Sequence, residues 1–296
     1  MTDDRTSITD TFSAGRAFIY REGRLLERRL FATEFEGAEP RGVLDALVGY
    51  RNPDGGFGHG LEPDKLCPDS QPLDVQFALQ TMDAAGAVDR VMVQSALDFL
   101  TLVSGPEGGV PVLLPSILEY PHAPHWGEWA FPPGLNPTAG IAGLLHKHRV
   151  EHPWLDPATE FCWSELARGL PNDAHTISVV LTFLEFVPDR ARAEALIPAV
   201  TDRLQGAAFY RADPAGQEYG LSPLNFAPTP SSRWRRLFRD EVIEAFLDQL
   251  LAGQQPDGGW PVSWEPPGQA SLLAWRGLET LGALRTLTAY GRVVGS

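Results

Sequence analysis

Apolar residues return every three or four positions along almost the whole chain, the spacing that gives a helix one buried stripe. Runs of alternating β-branched residues bounded by turns are scarce. The pattern predicts helices at about 9–33, 40–51, 71–86, 89–104, 136–148, 154–168, 173–187, 190–205, 231–252 and 271–290. A short helix or turn is expected at 222–230, where prolines forbid a long one. An all-α fold follows.

Between these helices one short pattern recurs. Asn52-Pro53-Asp54-Gly55-Gly56-Phe57 and Gln255-Pro256-Asp257-Gly258-Gly259-Trp260 each follow a leucine-rich helix and precede a proline-bearing loop. Weaker copies are Pro106-Glu107-Gly108-Gly109-Val110 and the stretch from Asp213-Pro214 to Tyr219-Gly220. The acidic residues fall at 54, 107, 213 and 257, close to multiples of one step, and a degenerate copy is expected near 160, where Arg168 to Asp173 supplies only a tight turn. Paired glycines let the chain leave a helix through positive φ, and the next aromatic can then drop back onto the helix pair as a wedge. Repeated at this spacing, the motif predicts a ring of about six helical hairpins in one domain spanning 1–296, with 1–8 a flexible start.

Loop length separates the two ends of such a ring. Connections at about 52–70, 105–135, 206–222 and 253–270 are long and rich in Gly, Pro, Trp and His, whereas those near 34–39, 87, 149–153 and 188–189 are short. Function is expected where the long loops gather.

Composition narrows the function classes. With 43% apolar residues and no run long enough to span a bilayer, the chain reads as a packed soluble protein, and its polar start lacks the features of a secretory signal, so the cytoplasm is the expected compartment. Two cysteines, Cys67 and Cys162, make no disulfide framework. A net charge of -14 argues against a nucleic-acid partner, leaving a small molecule, while the oligomeric state is open. The one basic cluster, Arg233, Arg235 and Arg236, is either a solvated helix face or, with Arg276, an anion clamp.

The densest chemistry lies between Glu119 and Trp129. There His122 and His125 stand between Glu119 and Glu128, beside Trp126 and Trp129, in a proline-held loop that is either a lid carrying an acid or base or a plug. His175 beside Asp173 is either an oriented imidazole or part of a helix cap; His146, His148 and His152 read as structural. Long-loop acids able to donate a proton are Glu62, Asp64, Asp69, Asp74, Glu119, Glu128 and Asp173, each of which could instead be a cap or a solvated acid. Trp264 and Trp275, near Arg276 and Glu279, offer aromatic faces to a cation or a sugar. Neither a phosphate-binding GxxxxGK[ST] loop nor a GxSxG elbow is present.

At its repeats the chain resembles the α/α toroid superfamily of terpenoid cyclases and protein prenyltransferase β subunits. Gln254 to Trp260 is similar to the glutamine-tryptophan repeat of squalene-hopene cyclase-like proteins, and Gly55 to Gly60 followed by Asp74 is similar to the prenyltransferase repeat. The resemblance implies an (α/α)6 toroid and a lyase- or isomerase-type enzyme that cyclises or rearranges an isoprenoid or similarly apolar molecule after protonating it. Two departures stand out. No Asp-X-Asp-Asp motif occurs, and Gln76 falls where the prenyltransferase pattern has a zinc-binding cysteine after Asp74. No cofactor is therefore expected; a zinc or magnesium ion would need an improvised set such as His59, Cys67 and Asp69.

The resulting expectation groups Glu62, Asp64, Asp74, His122, His125, Glu128 and His175 as catalytic residues, with Trp126, Trp129, Trp264 and Trp275 as walls and Arg233, Arg235 and Arg276 as a possible clamp. Two other functions fit the same pattern. A carbohydrate hydrolase or lyase would show paired carboxylates in an open groove, and a noncatalytic toroid module would have its mouth shut by residues 115–135.

Overall fold

The computed structural model describes residues 3–127, 132–216 and 218–295, the side chains of 3–9 excepted. Thirteen α-helices are found among them: α1 Asp3–Glu22, α2 Leu25–Phe35, α3 Arg41–Leu47, α4 Pro72–Ala84, α5 Arg90–Val103, α6 Pro124–Gly127, α7 Leu135–Lys147, α8 Leu155–Arg168, α9 Ala174–Phe186, α10 Arg190–Leu204, α11 Pro223–Phe226, α12 Asp240–Ala252 and α13 Gln269–Ala289. Strand-like pairing among the described residues is confined to isolated bridges.

Three expected helices are divided. The stretch 9–33 breaks at Gly23-Arg24, where Arg24 takes an extended ψ and the Glu27 carboxylate accepts from its backbone N–H, starting a new helix. The stretch 40–51 ends in a 3₁₀ turn, Val48–Tyr50, and 231–252 opens with another, Arg233–Leu237, before Arg239 caps α12. The 119–129 segment, expected to be loop, contains the single helical turn α6.

The chain forms two compact units, residues 43–208 and residues 1–42 with 209–296. In the first, α7 is the central helix, packed on α4, α8 and especially α9. Its glycines permit that closeness: a Cβ at Gly143 would lie 2.8 Å from the Phe183 backbone nitrogen. In the second unit α13 packs along α1 and also meets α2 and α12. Phe12, Phe31 and Phe35 cluster there with centroids 5.0 to 5.8 Å apart.

The repeated motif is one backbone turn used three times. In each copy the residue before the acidic stretch accepts from the first glycine's N–H and donates to the second glycine's carbonyl. These bonds join Asn52 with Gly55 and Gly56, Gly105 with Gly108 and Gly109, and Gln255 with Gly258 and Gly259. The first glycine has φ between 90° and 94° in all three, a region costly for any residue with a side chain. The residue that follows is buried each time: Phe57, Val110 and Trp260. In two copies its N–H donates 3.0 Å to a buried threonine of a later helix, Val110 to Thr138 and Trp260 to Thr280.

Candidate active site

The first glycine turn sets up a buried ionic cluster. Its acid, Asp54, accepts from the Gly56 N–H and the Ser70 hydroxyl, while the Asn52 amide donates to the Pro68 carbonyl and Ser70. These bonds fold residues 51–71 back on themselves and deliver Gln71 and Pro72 to the start of α4, where proline's fixed φ suits the first helical turn. Segment 61–66 is then held against 121–123 by hydrogen bonds from Leu66 N–H to Pro121 O and from Ala123 N–H to Asp64 O.

Asp74 lies in the first turn of α4 and is wholly buried, as is Lys65, with Glu62 3% exposed. The Lys65 ammonium donates 2.8 Å to Asp74 Oδ1 and 3.1 Å to Glu62 Oε2, and the Glu62 backbone N–H donates 2.7 Å to Asp74 Oδ1. Asp74 thus takes its donors from the 61–66 segment. Asp74 Oδ2 is buried and has no hydrogen-bond partner among the described residues.

Two carboxylates on one ammonium leave an excess negative charge away from water, which is costly, and a proton on one carboxyl removes it. Burial pushes the Asp74 carboxyl up to about 6 against the pull of Lys65, and pushes Glu62 up as well. The Lys65 ammonium is held above its ordinary value by Asp74 and Glu62 in spite of its burial. Since Oδ1 already accepts two hydrogen bonds, the proton of neutral Asp74 belongs on Oδ2.

The two histidines of the loop lie beside this cluster. His125 Nε2 is 3.9 Å from Asp64 Oδ2, and His122 Nδ1 is 2.7 Å from the Tyr120 carbonyl oxygen. Burial lowers the His125 imidazole, opposed by Glu62 and reinforced by His122. His175 is lowered by burial too, and it feels both Asp173 and His125. Asp173 itself caps α9, its carboxylate accepting from the Thr176 N–H. The structure therefore brings Glu62, Asp64, Asp74, His122, His125 and His175 into one neighbourhood, and the Trp126 ring packs on His125 at 4.7 Å. Glu128 and Trp129 lie outside the described residues.

Trp264, Trp275, Arg233, Arg235 and Arg276 belong to the other unit. Trp264 and Trp275 meet edge to face at 5.0 Å. Arg276 is engaged with Asp257 through two 2.7 Å hydrogen bonds, Arg235 with Asp240 at 2.5 Å, and Arg233 lies over the Trp234 ring. An open recess of about 950 Å³ borders the second full glycine turn, lined in part by Asp257, Trp264, Glu265 and Arg276. His146, His148 and His152 reach Thr159, Asp83 and Asp98, joining helices and their connections as sequence reasoning assigned them.

Lys65 is the residue that sequence reasoning missed. Its signal was rarity, since only two of the 24 basic residues are lysines. A second clue was its position three residues after Glu62 in a loop otherwise free of cations. Among the described residues no group of three or more His, Cys, Asp or Glu is placed to hold a metal ion. His59 bonds to Asn52, and Cys67 is buried against Ser116 and Gln71. No described helix is long and apolar enough to cross a membrane.

Comparison with solved structures follows the same architecture. The type II terpene cyclase MstE from Scytonema, without ligand, superposes with a TM-score of 0.51 at 16% identity, over 96% of this chain and 99% of that one. An arginine-to-alanine variant of MstE, in complex with its substrate geranylgeranyl dihydroxybenzoate, gives 0.53 at 14% identity, over 97% and 99%. The fold is that of a terpenoid cyclase-like all-α toroid. No protein-family model matches the chain, and no curated protein matches it.

Proposed function

We propose that the chain is a terpenoid cyclase-like enzyme that protonates an isoprenoid or similarly apolar small molecule and lets the resulting cation cyclise or rearrange. The observation carrying this reading is Asp74, a buried acid whose Oδ1 accepts from Lys65 and the Glu62 N–H while Oδ2 has no partner among the described residues. An alkene offers a proton donor almost nothing to bind, so the donor needs a proton that is not already shared and a conjugate base that is stabilised as it forms. Asp74 has both features.

In the proposed step the Oδ2–H bond breaks as a C–H bond forms at the alkene, leaving a carbocation and the Asp74 carboxylate. Lys65 and the Glu62 N–H are already in place to hold that carboxylate, so little reorganisation is needed. Ring closure or rearrangement moves the cationic centre; a neighbouring C–H bond then breaks, its electrons forming a new alkene and its proton passing to water, while Asp74 takes a proton back from water, so that substrate and product are isomers. Burial of both carboxyls favours this chemistry over the glycosidase reading, which calls for an open groove. The likeness to MstE in fold supports the choice of substrate class.

The test uses geranylgeranyl dihydroxybenzoate and simpler polyprenyl compounds as substrates in deuterated water. One deuterium should appear in the cyclised product, and Asp74→Asn should abolish turnover while leaving the circular dichroism spectrum unchanged. Turnover that survives Asp74→Asn would remove Asp74 as the donor. A full screen without any cyclised product would sink the reading itself.

A further inference from the structure

We propose that one stripe of α13, formed by Trp275, Glu279 and Gly282 and walled by Trp264 and Tyr219, is a binding site for a small organic ammonium cation. Residues 275, 279 and 282 follow one another at helical spacing and share a face, and helix geometry slants Glu279 back toward the turn that carries Trp275. Beyond Glu279 the stripe faces open space, since a Cβ built at Gly282 would meet nothing within 4 Å.

The aromatic wall is a series of corners. Trp275 meets Trp264 at 5.0 Å and 81°, Trp264 meets Tyr219 at 5.3 Å and 71°, and Tyr219 meets Phe209 at 6.0 Å and 60°. Rings that meet edge to face turn their electron-rich faces in different directions, an arrangement that suits a rounded cation better than a flat ligand. The outermost ring is held there at a cost. Phe209 has φ of 57° and is 55% exposed, and neither the backbone nor the hydrophobic effect favours that state without a ligand to cover it.

Glu279 supplies the charge. Among the described residues it makes no hydrogen bond or ion pair, in contrast to Asp257 on the neighbouring turn, which is neutralised by Arg276. The residue keeps contact with solvent, yet the protein packed around it desolvates the carboxyl and pushes it up to about 7. A carboxyl left without a counterion beside electron-rich rings matches an alkylammonium and repels an anion.

Calorimetric titration of the whole chain with tetramethylammonium chloride tests this independently of any turnover, with tert-butanol as a neutral ligand of similar shape. Saturable binding of the cation is expected, roughly tenfold weaker in Trp275→Leu and in Glu279→Gln. Glu279→Gln changes an accessible group, so its fold should survive even where Trp275→Leu does not. Phe209→Gly, which relieves the left-handed backbone, should weaken binding while leaving the melting temperature equal or higher. Absence of saturable binding, equal binding of tert-butanol, or a Glu279→Gln variant that binds the cation as well as the parent would each overturn the proposal.

Discussion

The two full glycine turns share a backbone and differ in what their acids hold. At the first, Asp54 bonds to the neutral hydroxyl of Ser70, and the loop beyond it carries a buried lysine with two carboxylates. At the second, Asp257 holds the cation Arg276, which keeps that carboxyl down at about 2, and aromatic residues follow. The turn itself is thus a structural fitting. Chemistry is placed in the residues that come after it, where one loop collects charge away from water and the other presents rings to it.

The largest way to break this comparison is at Lys65. Lys65→Met leaves Glu62 and Asp74 without their cation and should cost about 4 kcal/mol at neutral pH, whereas the combined change of Lys65, Glu62 and Asp74 to apolar residues should restore much of it. Urea unfolding of the variants measures both. A single variant as stable as the parent would show that the cluster is already neutral without lysine.

Alanine at the first glycine of either turn comes next. A Cβ at Gly55 would lie 2.4 Å from the Ser95 carbonyl oxygen, and one at Gly258 would lie 2.3 Å from that of Ala14. With positive φ added, each substitution should cost about 3 kcal/mol, and the two costs should be alike because the fitting is the same. Calorimetric melting of Gly55→Ala and Gly258→Ala checks the equality; a large gap between them would divide what the backbone unites.

The third effect belongs to pH and to the first loop alone. Asp74 holds its proton up to about 6 in the fold, against an ordinary 3.8, so the folded chain binds more protons between those values and stability falls as pH rises through that window. The loss attributable to Asp74 is on the order of 2–3 kcal/mol, and it should vanish in Asp74→Asn, whose stability differs from the parent's by a pH-dependent amount only across that range. Glu62 shifts in the same direction and shares Lys65 with Asp74, so the difference between the two proteins reports the titration of the pair. The proposed proton transfer should likewise fade above about pH 6. The smallest effect sharpens the contrast between the acids: Ser70→Ala and Arg276→Met should each cost about 1 kcal/mol, and only the second should diminish with added salt.

The helices and glycine turns were legible because they depend on local rules. Apolar spacing marks a helix whatever it packs on, and a glycine pair after a leucine-rich stretch announces positive φ wherever it stands. The break at Gly23-Arg24 was hidden because the apolar pattern runs straight through it, the helix being restarted by one carboxylate, Glu27. Glu62, Asp64 and Asp74 could be named from the sequence as acids of a long loop. The meeting of Glu62 and Asp74 on Lys65 could not, since a loop's fold has no periodicity to read. Asp74 in particular looked like a helix cap, and only the hydrogen bonds reveal that its oxygen serves a neighbouring segment.

Lysine rarity has a practical consequence. Lys65 is sealed within its cluster, while Lys147 is 36% exposed at the surface beside Asp83. An amine-reactive tag added to the folded protein should therefore settle, among the side chains, on Lys147. Mass spectrometry of the tryptic fragments then turns Lys65 into a clock: the day its label appears is the day that loop came open.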